Sequence, residues 1–440
     1  MSCVRSVLVL VILPALLGFA EDRSRVSAEL SKRTGVGLNP QPAPRGPRQA
    51  AIALPPGITL GGKLSADDAV AIALWNNAAF EAAVANLGVA RAEVVDAGLL
   101  RNLSFQALLP VGPKPFEMVL QAPVEALWQR PRRVAAARLA LDQVAEGLVA
   151  GGLDLARDVR LAHAELEAAE QRAVVATESA KLRLRIAELT ERRLRAGDVS
   201  EMEANVTRLD ARAAAEAAER FSRDVESTRE RLRMLLGLRM DKTPLSASPG
   251  PHDTRVPPEW DQLIEMALAS RPDLRAAEVA VEAALARARW ERSRVLALLA
   301  PLLSVKGVGN YGIRSGPGFQ TDVPVFNRNQ GGISRADAEV ERAARQYVAV
   351  RDLVELEVRK ARIDLVQALT SLERIRGEIL PASEEAVRLA ERAYANGDMP
   401  YLFVLEVSRQ VYDVRSRELD AVAGVRRATA NLEHGIGRKL

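Results

Sequence analysis

The stretch Ala73-Leu74-Trp75-Asn76-Asn77-Ala78-Ala79-Phe80-Glu81-Ala82-Ala83 returns later in the chain as Ala267-Leu268-Ala269-Ser270-Arg271-Pro272-Asp273-Leu274-Arg275-Ala276-Ala277. The turn Arg195-Ala196-Gly197-Asp198 returns at nearly the same interval, about 200 residues, as Ala395-Asn396-Gly397-Asp398. A solenoid repeats every ~20–50 residues, so a period this long means that one large unit was duplicated and fused. Both units read in one order: helix, short β-rich insert, very long helix, glycine turn, long helix.

The first repeat covers residues 61–240. Ser65 is placed to cap a helix, with Asp68 at the capping-box position, and the helix is predicted to run to about Leu100. From Leu103 the apolar residues alternate (Leu103, Phe105, Ala107, Leu109, then Phe116, Met118, Leu120, Ala122) on either side of Val111-Gly112-Pro113-Lys114-Pro115. That pattern predicts two short strands and a turn over 103–122. Helical sequence resumes near Glu125 and continues to Ala196, roughly 100 Å at ~1.5 Å per residue, with Gly147, Gly151 and Gly152 as its expected soft point. After the Gly197 turn a helix returns to about Leu236. A linker with five prolines, residues 241–258, joins the halves.

The second repeat, 259–440, follows the same order, with a helix from about Pro257 to Leu299 and a glycine-rich β insert over 302–326. A long helix is predicted from Ile333 to Asn396, kinked at Pro381, then a turn at Gly397 and a last helix to about Gly435. In the long helix Val340, Tyr347, Val354, Ala361, Ala368 and Ile375 recur every seven residues, with Ala344, Val358, Leu365, Leu372 and Ile379 as the companion row. This predicts a coiled-coil seam of small side chains.

Residues 1–20 read as a secretory signal peptide: Arg5, an apolar run from Val7 to Leu17, then Gly18-Phe19-Ala20. The run is shorter than the ~20 residues that span a bilayer. Cys3, the only cysteine, lies inside that signal, so the mature chain is expected to hold neither disulfides nor thiolate metal sites. Residues 21–60, with Asn39-Pro40-Gln41-Pro42-Ala43-Pro44-Arg45-Gly46-Pro47, read as an extended or disordered leader. The 61 basic and 57 acidic residues are interleaved along helices, and aromatics make up only 4%. That is a solvated helix surface rather than a nucleic-acid groove.

No motif points to an enzyme. Gly307-Val308-Gly309-Asn310-Tyr311-Gly312 fits a nucleotide-loop pattern but lacks the βαβ context and reads as a hairpin. His163, His252 and His434 have no ligand spacing. Neither a Gly-x-Ser-x-Gly elbow nor a P-loop occurs. No cofactor or metal site is expected.

Helices this long must lie against others of similar length. No later segment has 18 consecutive apolar residues, so a membrane role must use strands. Four strands cannot close a barrel, and an open sheet edge is not tolerated in lipid. Several chains must then share one barrel.

At this point the chain resembles the TolC family of outer membrane efflux proteins, most of all its heavy-metal (cobalt-zinc-cadmium) branch, over about 61–437. The resemblance is carried by the paired helix starts, by Val323-Pro324-Val325-Phe326-Asn327-Arg328-Asn329-Gln330-Gly331-Gly332-Ile333, and by the two glycine turns. It implies a mainly α fold with β inserts, in which duplicated helical hairpins form a trimeric α-barrel. Each protomer would give four strands to a 12-stranded outer membrane β-barrel. It also implies an outer membrane location reaching into the periplasm, outer membrane lipid around the barrel, a periplasmic adaptor (membrane fusion protein) and an inner membrane pump of the RND type. The resemblance places adaptor docking at Gly197, Asp198, Gly397 and Asp398, and a gate at Glu406 and Phe403. Ala78 stands where the family usually has proline, and the inserts are shorter than the ~9–11 residues of a spanning strand. The rival expectation is a periplasmic coiled-coil scaffold or adaptor without a pore.

Overall fold

The computed structural model describes residues 20–40, 52–109, 116–122, 125–238, 242–250, 255–295, 300–307, 313–320, 325–396, 398–399 and 401–439. The expected signal, apart from Ala20, and the proline run 41–51 lie outside them. The helices are α1 (20–34), α2 (Ala66–Asn76), α3 (Ala78–Gly98), α4 (Glu125–Ala196), α5 (Glu201–Leu235), α6 (Trp260–Ser270), α7 (Pro272–Ser293), α8 (Gln330–Arg374), α9 (Leu380–Ala395) and α10 (Tyr401–Ile436). The strands are β1 (Lys63–Leu64), β2 (Ser104–Leu108), β3 (Glu117–Gln121), β4 (Ser246–Ala247), β5 (Ala300–Gly307) and β6 (Ile313–Gln320). The duplicated order is therefore present, strand pairs included.

The chain divides into two compact units. One comprises Met1–Val26, Ala83–Ala150 and Pro272–Leu353. It holds most of α3, the first part of α4, α7, most of α8 and the antiparallel sheet β2-β3-β5-β6. Its helices meet through small side chains: Val84, Leu87, Ala90, Val94 and Ala97 of α3 are buried, as are Leu141, Ala145 and Leu148 of α4 and Ala336 and Ala343 of α8. Arg292–Asp337 at 2.7 Å ties α7 to α8, and Arg275–Glu146 at 3.4 Å ties α7 to α4.

The other unit comprises Ser27–Ala82, Gly151–Arg271 and Val354–Leu440. At its centre is α2, where Ala69 through Leu74 are buried without interruption; a helix apolar on all sides must be covered on all sides. α4 and α10 run antiparallel through this unit, laced by Arg160–Glu433 at 2.7 Å, Glu167–Arg426 and Arg172–Asp420 at 2.9 Å.

Several expectations are corrected. Each long first helix is two helices, broken at Asn77 and Arg271. Pro272 opens α7, as its fixed φ and missing N–H favour. In the first repeat Asn77 replaces that proline by capping: its Oδ1 accepts from Phe80 N–H at 3.0 Å. Residues 20–34 of the presumed leader are helical, because they precede the prolines and carry Val26, Leu30 and Thr34 on one buried face. α4 does not soften at its glycines. A Cβ on Gly152 would stand 2.5 Å from Leu30 Cδ2 and 3.3 Å from Phe80 Cζ, so that glycine makes room for α1.

The helix departs from α geometry before Pro381, as a π-helical segment, Ile375–Ile379. There Leu380 N–H reaches back to Ile375 O, the widening that accommodates a proline without an N–H. The seam of α8 holds at Val354, Val358, Ala361, Leu365, Leu372 and Ile375. Near its start Ala336 and Ala343 are buried instead of Ala344, and near its end Ile379 is exposed. A seven-residue repeat drifts around a helix of ~3.6 residues per turn.

Candidate functional site

Strand register sorts the sheet's side chains onto two faces, because directly paired residues lie on the same side. Phe105 pairs with Leu120, which pairs with Leu303. Ala107 pairs with Met118, which pairs with Val305. Leu303 and Val305 pair with Pro317 and Ser315 on β6. Ile313 and Phe319 fall on this face by alternation, leaving Ser315 as its only polar side chain. Much of it is open to solvent in the single chain: Phe105 is 62% exposed, Ile313 77% and Phe319 69%.

The opposite face carries Ser104, Gln106, Glu117, Gln121, Ser304, Lys306 and Arg314, interspersed with Leu108, Val119 and Leu302. Lys306 and Glu117 pair there at 2.9 Å. β2 and β6 are the edges, each with one partner among the described residues. This division was only half legible in sequence. The apolar alternation in 103–122 shows one face of two strands, but only the register joins it to β5 and β6.

Residues 325–333 of the signature lead into α8, while Val323 and Pro324 lie outside the described residues. Asn329 is the only described non-glycine residue with positive φ, at 58°. Its Nδ2 donates to the backbone oxygen of Glu291 at 2.9 Å and to Oε2 at 2.8 Å, and its own carbonyl accepts from Ile333 at 2.9 Å. A Cβ on Gly332 would stand 2.4 Å from Asn329 Oδ1 and 2.9 Å from Glu291 Oε2. The asparagine and glycine thus fasten the end of α7 to the start of α8. For that reason α8 begins at Gln330, before the expected Ile333, and Val325 and Phe326 belong to this joint instead of a strand.

The two tips close alike. Asp198 N–H reaches Arg193 O at 2.9 Å, and Asp398 N–H reaches Ala393 O at 2.9 Å. Gly197 has φ 82°, the left-handed conformation that ends a helix most easily as glycine; Gly397 lies outside the described residues. Ser200 caps α5, accepting from Glu203 N–H at 3.2 Å. The structure brings the tips together: the Arg193 guanidinium lies 5.6 Å over the Tyr394 ring and bonds its hydroxyl. Asp198 and Asp398 are exposed.

Beyond the second tip, Val404, Leu405 and Val407 of α10 pack with Ala390 of α9. Phe403 and Glu406, one turn apart, occupy the exposed side, Phe403 at 48%. Further along, Asp210 of α5 is buried and accepts from Arg183 of α4 at 2.9 Å and from Arg409 of α10 at 3.1 Å.

Sequence reading missed the pieces that close each repeat. Gly237, φ 72°, and Gly437, φ 73°, end α5 and α10. A Cβ on Gly237 would stand 2.1 Å from Asn76 O, and one on Gly437 would stand 3.2 Å from Ser270 O. Each glycine presses its helix end onto the break in its own repeat's first helix. The signal was available, since the two glycines are 200 residues apart, like the tips.

The histidines do not converge. His163 Nε2 bonds Leu64 O at 2.7 Å, His434 Nε2 bonds Asp154 Oδ1 at 2.8 Å, and His252 lies outside the described residues. Burial holds the His163 pKa below its ordinary value; Arg426 lowers it further, while the Leu64 carbonyl and Glu170 act the other way.

Residues 263–438 match the outer membrane efflux protein family. Over 383 residues, covering 86% of this chain and 91% of the relative, the chain is 24% identical to the cobalt-zinc-cadmium resistance protein CzcC of Cupriavidus metallidurans. Its fold is similar to that of CusC, with a TM-score of 0.70 and 17% identity over 91% of this chain and 99% of that one. It is also similar to the outer-membrane channel OprN, at TM-score 0.69 and 18% identity over 91% and 97% of the two chains. The outer membrane protein VceC of Vibrio cholerae matches at TM-score 0.66 and 16% identity over 85% and 96%. The family match thus lies on the second repeat, the curated relative spans both repeats, and the fold is shared nearly end to end with CusC and OprN.

Proposed function

We propose that the chain is the outer membrane duct of a tripartite efflux system and that metal cations are its cargo. Three copies join β2 of one to β6 of the next, making a 12-stranded barrel from four strands each. The apolar face turns to outer membrane lipid and the polar face to the lumen. The helices extend the path into the periplasm. Adaptor docking falls to the tips around Gly197, Asp198, Gly397 and Asp398. Glu406, on the exposed side of α10 with Phe403, lines the constriction as a ring of carboxylates that draws cations. Transport energy comes from an inner membrane pump, and the chain itself catalyses no reaction.

The observation that carries this reading is the two-faced sheet with two open edges. A pore-free scaffold accounts for the long helices but leaves that apolar face in water, where an exposed patch of this kind invites aggregation. The cargo rests on the cobalt-zinc-cadmium resistance named for the relative. The test is to delete the gene in its host, fractionate the complemented strain and assay growth on cobalt, zinc and cadmium salts. The chain should sediment with the outer membrane, and the deletion should sensitise cells to at least one of the metals. Recovery in the soluble periplasmic fraction contradicts the duct, and unchanged tolerance to all three contradicts the cargo.

A further inference from the structure

The polar face of the sheet is unevenly charged. On β5, Lys306 stands directly opposite Glu117 of β3 on one side and Arg314 of β6 on the other. Glu117 compensates Lys306 at 2.9 Å. Arg314 has no ion pair or hydrogen bond among the described residues, and it is exposed. Like charges placed directly across two strands are unfavourable, and among the described residues Glu117 offsets Lys306 while none pairs with Arg314. Arg314 also lies on an edge strand, one residue past the start of β6. It therefore sits at the hairpin end of the sheet, away from the end where α7 delivers the chain into β5.

Neither lipid nor a packed core suits this arginine. A cation facing hydrocarbon is strongly disfavoured at mid-membrane, and the register puts Arg314 on the face opposite Leu303, Val305 and Phe319. A water-filled lumen suits it. There, rings of like charge set which ions pass, and low-dielectric walls focus their field.

We propose that Lys306, Arg314 and Glu117 form a charge filter at the outer mouth of the duct, with Arg314 as the specificity-determining residue. This rests on the duct reading above. Two cations and one anion per chain, repeated around a closed barrel, make a net-positive ring. It favours anions in conduction and opposes the return of small cations from outside. The outer mouth thus has the opposite sign to a carboxylate ring at Glu406.

The test uses the purified full-length mature protein in planar lipid bilayers, with the reversal potential measured across a KCl gradient. Arg314→Gln should shift it toward cation preference relative to wild type. Lys306→Gln, which releases Glu117, should shift it the same way, and Glu117→Gln should shift it toward anions. Any contribution from Glu406 is common to all four proteins and drops out of the comparison. Channels with one reversal potential in wild type and all three variants overturn the filter and leave the duct standing. If wild type forms no channel, the duct reading falls and the filter falls with it.

Discussion

Gly332 shows how much one residue type can decide. Its missing side chain lets Asn329, in a left-handed conformation, set its amide against the buried Glu291. Gly332→Ala would drive a methyl group into Asn329 Oδ1 at 2.4 Å, break this joint and leave the Glu291 carboxylate with Arg294, at 2.9 Å, in place of both partners. A hydrogen bond to a charged group contributes about 1.5–3 kcal/mol. Thermal unfolding of the detergent-solubilised protein should show a loss of that order, whereas Gly331→Ala, with open space around its Cβ position, should cost less than half as much. Equal losses would mean that helix propensity, not the Asn329–Glu291 contact, sets the requirement. The sequence displays the Asn-Gln-Gly-Gly run but not Glu291, 38 residues earlier, that gives it meaning.

At the scale of elements, what was legible followed from periodicity and what was not followed from contacts between distant segments. The helix–insert–helix–turn–helix order and the tips could be read because they are local. The break at Asn77 was hidden because an asparagine cap does the work of a proline, and α1 because a proline-rich stretch follows it closely. The joining of β3 to β5, which assembles the two-faced sheet, spans nearly 200 residues and has no local signature. Anchoring of α4 to β1 is another such contact, made by His163, which is 3% exposed. Burial depresses its pKa in the folded state, so between that value and the ordinary 6.5 the unfolded chain binds the proton and the folded chain does not. Stability rises with pH wherever the unfolded state holds more protons. This contribution is therefore fully present above pH 6.5 and declines as pH falls toward the folded-state pKa. Melting temperatures should drop between pH 7.5 and 5.5, and His163→Gln should flatten that slope. A variant as pH-sensitive as wild type would assign the effect to other groups.

For the whole molecule, the governing fact is incompleteness. Among the described residues the antiparallel sheet has four strands, two edges with one partner each and an apolar face, a sheet that is stable in lipid only when closed. The helices make the same demand less strictly, since long helices with small buried side chains can pair in many ways. On the proposed duct, copies of the same chain close the barrel, in keeping with the preference of oligomers for cyclic symmetry, and a small number of strands per copy sets the count. The most direct measurement is the mass of the mature protein extracted from outer membranes in mild detergent, by native mass spectrometry. A shared barrel gives one species of three chains, which dissociates when Phe105→Asp or Phe319→Asp disrupts the apolar face. A monomer or dimer as the largest species would contradict the shared barrel, and with it the duct.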